Sequence, residues 1–265
     1  DLIEKYKSLP LSEIALKLQR YPIDVRVAVL DQIHGIQKAK LKLPLYFQTE
    51  GIIYPPKINL EQCSSEQTAT FKAGLVSGKT LIDLTGGFGV DSWAFSKKLE
   101  QVYYIEQNES LVDIVSHNFE KLESHNIQIH KDNAQHFLEN FNGSVDWIYL
   151  DPARRDSQNK AVAQIKETEP NVIEMMSLIF QKTDNILLKT SPMFDIWQAI
   201  EQLKFIQKVW VISVENECKE VLYWLKKESL DKQQEVEIEA VNIVSEQIIH
   251  SLKGERTHEE NTTIT

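Results

Sequence analysis

Between Lys79 and Val214, short apolar segments alternate with longer amphipathic ones, and this alternation restricts the fold more than any other feature of the chain. The apolar segments are rich in Leu, Ile, Val and aromatic residues, as buried strands are. They predict strands at 80–84, 101–106, 127–130, 145–150, 185–189 and 209–214. The intervening segments predict helices near 91–99, 110–122, 134–141, 171–181 and 196–203. This succession is typical of an α/β fold, with a doubly wound, mostly parallel sheet covered by helices on both faces.

The residues before this succession follow a helical pattern. Helices are predicted at 11–20 and 24–40, and a third runs from Ser64 to about residue 75, where Gln67 completes a capping-box spacing with Ser64. The prolines and glycine of 41–56 indicate an irregular segment or a short hairpin.

After residue 214, a helix is predicted near 217–227 and an alternating strand at 236–243. We therefore expect three regions: an N-terminal helical region at 1–63, an α/β domain at 64–250, and at 251–265 a polar tail or the start of a further domain.

Composition narrows the possible partners. The net charge of the 265-residue chain is −10, which argues against tight, non-specific binding of nucleic acid, although a local basic groove or a further basic domain is compatible with it. Two distant cysteines, Cys63 and Cys218, and histidines without ligand spacing favour neither a disulfide framework nor a metal site. Without a long apolar run or a signal-peptide pattern, we expect no membrane association and a cytoplasmic location.

The first strand leads into a glycine-rich turn, L81-I-D-L-T-G-G-F-G-V-D91. Three glycines in four positions allow the backbone to approach a ligand, and the following helix offers its N-terminal N–H groups. A dinucleotide fingerprint is incomplete because its third glycine position holds Ser92. Asp83 and Asp91 would repel a pyrophosphate but suit a sulfonium and an ammonium group. The turn therefore favours S-adenosylmethionine over NAD, and the alternative is a tight turn that binds nothing.

Acidic residues also stand at the ends of the next three strands. Glu106 follows the second strand near the position of a ribose-binding acid, and Asp132 follows the third, where it can accept the adenine amine. Asp151 ends the fourth strand. Each acid alone is more typical of a solvated loop, but four at successive strand ends indicate a binding site.

With these residues, 64–243 resembles a class I S-adenosylmethionine-dependent methyltransferase. D83-L-T-G-G-F-G89 is similar to the D-x-x-x-G-x-G loop of that family, and the run VDWIYLDP from Val145 to Pro152 is similar to its fourth motif. The resemblance implies a Rossmann-like seven-stranded sheet whose antiparallel last strand is 236–243. It implies cofactor contacts from Ser64, Asp83, Thr85, Gly86, Gly87, Phe88, Gly89, Asp91, Glu106, Gln107, Asp132, Asn133 and Asp151.

The helical beginning, the Q62-C-S-S-E66 segment and the motif order resemble more narrowly the RNA-modifying branch near trimethylguanosine synthase. They are most similar to bacterial methyltransferases with a THUMP-like domain after the catalytic one. This resemblance implies RNA as the substrate, and an additional RNA-binding domain would supply the positive charge that the present residues lack.

Asp151 and Pro152 match the Asn/Asp-Pro-Pro-aromatic motif of base-amine methyltransferases, which implies a catalytic role, whereas Ala153 and Arg154 depart from it. Arg154 can stack on a base, bind phosphate or form a structural ion pair. With Arg155, Lys189 and Thr190 it is a candidate for substrate binding. In L187-L-K-T-S-P-M193 there is no cysteine nucleophile, which disfavours methylation of a ring carbon.

The sequence therefore predicts a methyltransferase that uses S-adenosylmethionine and transfers the methyl group to a nitrogen of an RNA nucleotide. A small-molecule methyltransferase, which suits the acidic composition, is one alternative. The other is a non-catalytic scaffold that binds S-adenosylmethionine or RNA, which the departure at Ala153 and Arg154 would suit.

Overall fold

A computed structural model of the chain describes residues 2–153, 165–227, 236–244 and 247–256. The helices are α1 (Leu2–Tyr6), α2 (Leu11–Lys17), α3 (Ile23–Lys42), α4 (Pro44–Gln48), α5 (Lys57–Gln62), α6 (Glu66–Leu75), α7 (Val90–Ser96), α8 (Glu109–Lys121), α9 (Ala134–Asn140), α10 (Val172–Ile179) and α11 (Ile196–Leu203). The strands are β1 (Thr80–Asp83), β2 (Gln101–Glu106), β3 (Ile127–Lys131), β4 (Trp147–Leu150), β5 (Asn185–Thr190), β6 (Ile206–Val214), β7 (Glu217–Lys226), β8 (Val236–Val244) and β9 (Gln247–Arg256).

The chain forms two compact units. The first contains Asp1–Leu75 and Gly86–Lys131, and the second contains Val76–Thr85 and Asp132–Thr265. The chain passes from the second unit to the first at Thr85 and Gly86, in the middle of the glycine-rich turn.

The first unit combines a helical amino-terminal part with a parallel strand pair. Apolar side chains of α1, α2 and α3 form a cluster around Ile14, Leu18 and Ile33, each completely buried. The strands β2 and β3 pair in parallel from Val102↔Ile127 to Glu106↔Lys131. Helix α6 packs against α7, and α8 packs against both strands. Residues of α6, of α7 and of the end of β2 therefore belong to the same unit.

Five of the eight helices described in the first unit match predicted positions, whereas α1, α4 and α5 were not predicted. The segment expected to be irregular contains α4, because Pro44 occupies the first turn, where its missing N–H costs nothing. The capping residue of α6 is Ser65 rather than Ser64, since the Ser65 hydroxyl accepts a hydrogen bond from the Thr68 N–H at 3.2 Å. The hydroxyl of Ser64 instead forms hydrogen bonds with Lys72 and Asp91.

The second unit contains a sheet with the strand order β1-β4-β5-β7-β6-β8-β9. Parallel pairs join β1 to β4, β4 to β5 and β6 to β8. The four residues of β4 are all buried, as expected for a strand with both faces covered. Parallel pairing places the carboxyl ends of β1, β4 and β5 at one edge of the sheet. The predicted α/β fold is confirmed.

The helix predicted near 217–227 is wrong, because these residues form β7, antiparallel to both β5 and β6. Glu215 and Asn216 connect β6 to β7 with φ of 48° and 65°, the backbone of a type I′ hairpin turn. The run V221-L-Y-W-L225 then lies between two strands and is almost entirely buried. The turn has no Asn-Gly or Asp-Gly pair, so the sequence does not indicate a hairpin at this position.

The assignment of 236–243 as the antiparallel last strand is also wrong in direction, because β8 runs parallel to β6. The antiparallel strand is β7, and β9 adds a further antiparallel pair with β8. The described residues therefore form nine strands, compared with the seven expected. The expected boundary between 250 and 251 falls within β9. No described helix has the length and hydropathy needed to span a membrane.

Asp146 stabilises the beginning of β1, because its Oδ2 accepts hydrogen bonds from the N–H groups of Lys79 and Thr80 at 2.7 and 2.8 Å. The bond from Lys79 is the largest influence, and with the Thr80 bonds it lowers the pKa of Asp146 below its ordinary 3.8. We expect Asp146→Ala to lower the free energy of unfolding by about 1 kcal/mol at pH 7, a small value because the exposed carboxylate is screened.

Urea unfolding of the wild type and Asp146→Ala at several pH values tests this expectation. A carboxyl group with a lowered pKa stabilises above its unfolded-state pKa of 3.8 and loses that effect as pH falls through the lower folded-state value. The difference between the proteins should therefore be constant above about pH 5 and shrink below pH 3.8. A difference that grows in acid would contradict the assignment.

Candidate functional site

The glycine-rich loop of the first unit lies along the end of β2. The Gly86 N–H donates to the Ile105 carbonyl at 2.8 Å, and a Cβ on Gly86 would lie 2.2 Å from the Tyr104 ring. Gly89 precedes α7 with a φ of 78°, a left-handed conformation that disfavours other residues. Glycine is therefore required at Gly86 for space and at Gly89 for backbone conformation, and the loop presents backbone rather than side chains.

Glu106 is attached to this loop by its carboxylate. Its Oε2 accepts from the Gly87 N–H at 3.0 Å, and its Oε1 accepts from the Asn108 N–H at 2.8 Å. The Tyr104 hydroxyl donates to the Gly87 carbonyl at 2.6 Å. Each carboxylate oxygen can accept more than one hydrogen bond, so a partly exposed Glu106 retains capacity for ligand hydroxyls. Glu106 and the glycine loop thus lie together within the first unit, and the role of Glu106 in binding the ribose remains a prediction.

Two further predicted residues of the first unit, Ser64 and Asp91, belong to a buried network with Lys72. The Lys72 ammonium lies 3.1 Å from Asp91 Oδ1 and donates to the Ser64 hydroxyl at 3.0 Å. The Ser64 hydroxyl donates to Asp91 Oδ2 at 2.8 Å. The Lys72 side chain is 0% exposed. Lys72 was missed from the sequence because a lysine in a helix is normally assigned to the solvent face.

The remaining loop residues of the first unit differ in their accessibility. The Phe88 ring is buried against Tyr46 and Tyr54, with centroid separations of 5.5 and 6.4 Å. Only the backbone of Phe88 is therefore well placed for a ligand. Gln107 follows β2 and is exposed.

In the second unit, Thr85 connects the ends of β1 and β4. The Thr85 N–H donates to Asp83 Oδ1 at 3.1 Å, and the Asp151 N–H donates to the Thr85 hydroxyl at 2.6 Å. Asp83 is 1% exposed. Three predicted site residues of this unit, Asp83, Thr85 and Asp151, are thus joined by hydrogen bonds.

Asp151 also forms an ion pair with Lys189 at the end of β5, through a close contact of Oδ2 with the ammonium. The neighbouring Thr190 and Pro152 are buried. Tyr223 of β7 is buried too, and burial raises the pKa of its hydroxyl to about 12. The predicted acceptor residues that the structure describes, Asp151, Pro152, Lys189 and Thr190, therefore lie at the carboxyl ends of β4 and β5.

Asp132 and Asn133 have structural roles at the start of α9. The Asn133 side chain caps this helix by accepting from the His136 N–H at 2.9 Å, and Asp132 contacts His136 Nδ1 at 2.8 Å. The hydrogen bond and charge of Asp132 raise the pKa of His136. The predicted role of Asp132 and Asn133 in binding adenine remains a prediction. Arg154 and Arg155 lie outside the described residues.

Metal ligands were not predicted. In the part of the chain that the structure describes, no group of three or more His, Cys, Asp or Glu side chains is arranged to hold a metal ion.

The family model described as "conserved hypothetical protein 95" matches residues 66–212, more than half of the chain. The chain belongs to this family. It is similar to a protein of Porphyromonas gingivalis W83 assigned as a methyltransferase, with 27% identity and a TM-score of 0.78. That match covers 99% of this chain and 65% of the other, so the chain spans less than two thirds of this relative. The chain thus has the Rossmann-like α/β fold of class I S-adenosylmethionine-dependent methyltransferases.

Other solved structures resemble the chain less. A protein of Pyrococcus horikoshii assigned as an RNA methyltransferase has 18% identity and a TM-score of 0.48, covering 70% of this chain and 98% of its own. A Streptococcus mutans protein assigned as a methyltransferase, crystallised with SAH, has 13% identity and a TM-score of 0.45, covering 62% and 97%. None of the curated proteins matches the chain.

The buried network makes a prediction about stability. Lys72→Met should leave the buried Asp91 carboxylate without its cation and lower the free energy of unfolding by roughly 3–5 kcal/mol. Lys72→Met combined with Asp91→Leu removes both charges and should recover most of this loss. Urea unfolding measures both effects. Equal stability of Lys72→Met and the exposed control Lys98→Met would show that the pair contributes nothing.

Proposed function

We propose that the chain is the catalytic part of an S-adenosylmethionine-dependent methyltransferase that methylates a nitrogen of an RNA nucleotide. The observation that carries the cofactor proposal is the attachment of the Glu106 carboxylate to the Gly87 backbone beside a loop that requires glycine. Bound S-adenosylmethionine supplies an electrophilic methyl group on a sulfonium centre.

The residues of the loop fit this cofactor by charge. The segment Thr85–Asp91 contains no lysine or arginine to balance a pyrophosphate, and Glu106 adds an acid. Because Lys72 neutralises Asp91, Glu106 is the acid beside this loop that favours a cationic ligand. An acid that accepts hydroxyl hydrogens suits a ribose, and loop N–H groups at the start of α7 suit a carboxylate. This balance favours S-adenosylmethionine over a dinucleotide.

Within this proposal, each predicted residue has a role. Glu106 and Gln107 bind the ribose, Asp132 and Asn133 the adenine, and Asp83 with the glycine loop the methionine part. Ser64, Thr85, Phe88, Asp91 and Asp151 are the remaining proposed cofactor contacts. Asp151 and Pro152 hold the acceptor, and Arg154, Arg155, Lys189 and Thr190 are the proposed substrate-binding residues.

The RNA assignment rests on the resemblance to the trimethylguanosine-synthase-like branch and to methyltransferases with a THUMP-like domain. We propose that the catalytic domain begins at residue 64, after the helical region 1–63, and includes β8 and β9. The net charge of −10 favours a small-molecule acceptor as the second candidate. An RNA acceptor and a small-molecule acceptor can be distinguished by the fraction in which a transferred radioactive methyl group is found.

Isothermal titration calorimetry tests the cofactor. We expect the protein to bind S-adenosylmethionine and S-adenosylhomocysteine, and to leave NAD unbound. Glu106→Ala should weaken both sulfur ligands by about 1–3 kcal/mol, because hydrogen bonds to a charged group are lost. Glu120→Ala, an exposed acid of α8, is the control and should bind as the wild type does. Wild-type affinity in Glu106→Ala would refute the ribose assignment.

Transfer of a tritiated methyl group tests the acceptor. The full-length protein is incubated with total RNA from cells that lack it, and label should appear in nucleotides methylated on nitrogen after digestion. A small-molecule acceptor would instead place label in a low-mass extract and none in RNA. Binding of the cofactor without label in either fraction would support the non-catalytic scaffold.

A further inference from the structure

Lys189 is a lysine that the fold has placed in its interior. It is 8% exposed in the central part of the second unit's sheet, flanked along β5 by Leu188 and Thr190, which are also buried. Burying an ammonium group is costly unless it is paired, and apolar residues would serve the sheet equally well. The position of Lys189 therefore calls for an explanation beyond packing.

The strand register places three charged residues, Asp151, Lys189 and Glu220, on the same face of the sheet. Leu150 pairs with Leu188, so the next residues along the two strands, Asp151 and Lys189, share a face, in agreement with their ion pair. On the other side of β5, Lys189 is opposite Leu222 of β7. Glu220, two residues from Leu222, therefore shares that face as the diagonal neighbour of Lys189. Glu220 is 3% exposed.

Asp151 itself is held asymmetrically. Its N–H is fixed to the Thr85 hydroxyl at 2.6 Å, and its Oδ2 contacts the Lys189 ammonium. Among the described residues, none donates a hydrogen bond to Oδ1, and the side chain is 30% exposed. One oxygen is thus anchored and the other remains able to accept a hydrogen bond.

We propose that Lys189 is a positioning residue for methyl transfer, anchored by Glu220, which aims Asp151 Oδ1 at a hydrogen-bearing acceptor. This inference rests on the proposed function and narrows its substrate class. A carboxylate oxygen can only accept a hydrogen bond, so the methylated atom carries an N–H or O–H hydrogen. An exocyclic amine qualifies, whereas a ring nitrogen without hydrogen does not.

The variants Lys189→Met, Lys189→Arg and Glu220→Gln of the full-length protein test the proposal. Initial rates of tritiated methyl transfer to total RNA from cells lacking the protein give kcat and an apparent KM for RNA. Calorimetry with S-adenosylmethionine reports the donor site separately. We expect Lys189→Met to lower kcat about 100-fold, the effect of misplacing a reacting group by about 1 Å, with the donor affinity and the RNA KM unchanged.

The other variants separate positioning from direct binding. Lys189→Arg retains the positive charge and should recover about a tenth or more of the wild-type kcat, roughly a tenfold gain over Lys189→Met. Glu220→Gln keeps the side-chain volume and should lower kcat while Lys189 and Asp151 remain. If Lys189→Met does not fold, Glu220→Gln still tests the proposal. The control is Lys208→Met, which removes another strand lysine paired with two acids, Glu237 and Glu239, each at 2.7 Å. It should transfer methyl at the wild-type rate.

Two outcomes would overturn the proposal while the proposed function stands. One is wild-type kcat in both Lys189→Met and Glu220→Gln. The other is a raised RNA KM with unchanged kcat in Lys189→Met, which would make Lys189 a direct RNA ligand. Failure of the proposed function looks different, because the wild-type protein itself would then not bind the donor or would not label RNA.

Discussion

The hydrogen bond between the Asp151 N–H and the Thr85 hydroxyl, 2.6 Å long, connects the ends of β1 and β4 in the second unit. Thr85 also donates its own N–H to Asp83, so one residue orients both acids at these strand ends. The next residue in the chain is Gly86, the first of the glycine loop in the other unit. Thr85 is therefore the residue on which the arrangement of Asp83 and Asp151 most depends.

Buried lysines determine how much negative charge the acids present. In the first unit Lys72 compensates Asp91, and in the second Lys189 compensates Asp151. Glu106 is instead held by two backbone N–H groups, which orient a carboxylate without cancelling its charge. Asp91 and Asp151 are thus acids paired with a buried cation, whereas Glu106 is an acid held by backbone. The first kind suits precise placement, and the second suits attraction of a cationic ligand.

The elements that the sequence predicted correctly depend on residues close together in the chain, and those that it missed depend on residues far apart. The strands β1 to β6 and the glycine loop follow from short apolar runs and from residues that only one backbone conformation accommodates. The strand β7 was missed because Glu215 and Asn216 adopt positive φ without a glycine to announce the turn. The partners of Asp151 and Asp91 were missed because Lys189 and Lys72 are distant in sequence, and a lysine alone does not reveal that it is buried.

The sequence by itself determined the alternation of strands and helices, the glycine loop, and the acids at the ends of successive strands. Each depends on residues close together in the chain, whose periodicity and backbone preferences are readable directly. Only the tertiary structure decided the direction of the last strands and which acids are neutralised by buried lysines. The strand directions and the Asp151–Lys189 pair depend on register between strands far apart in sequence, because a shift of one residue moves a side chain to the opposite face of a sheet. The Lys72–Asp91 pair depends on how α6 packs against α7.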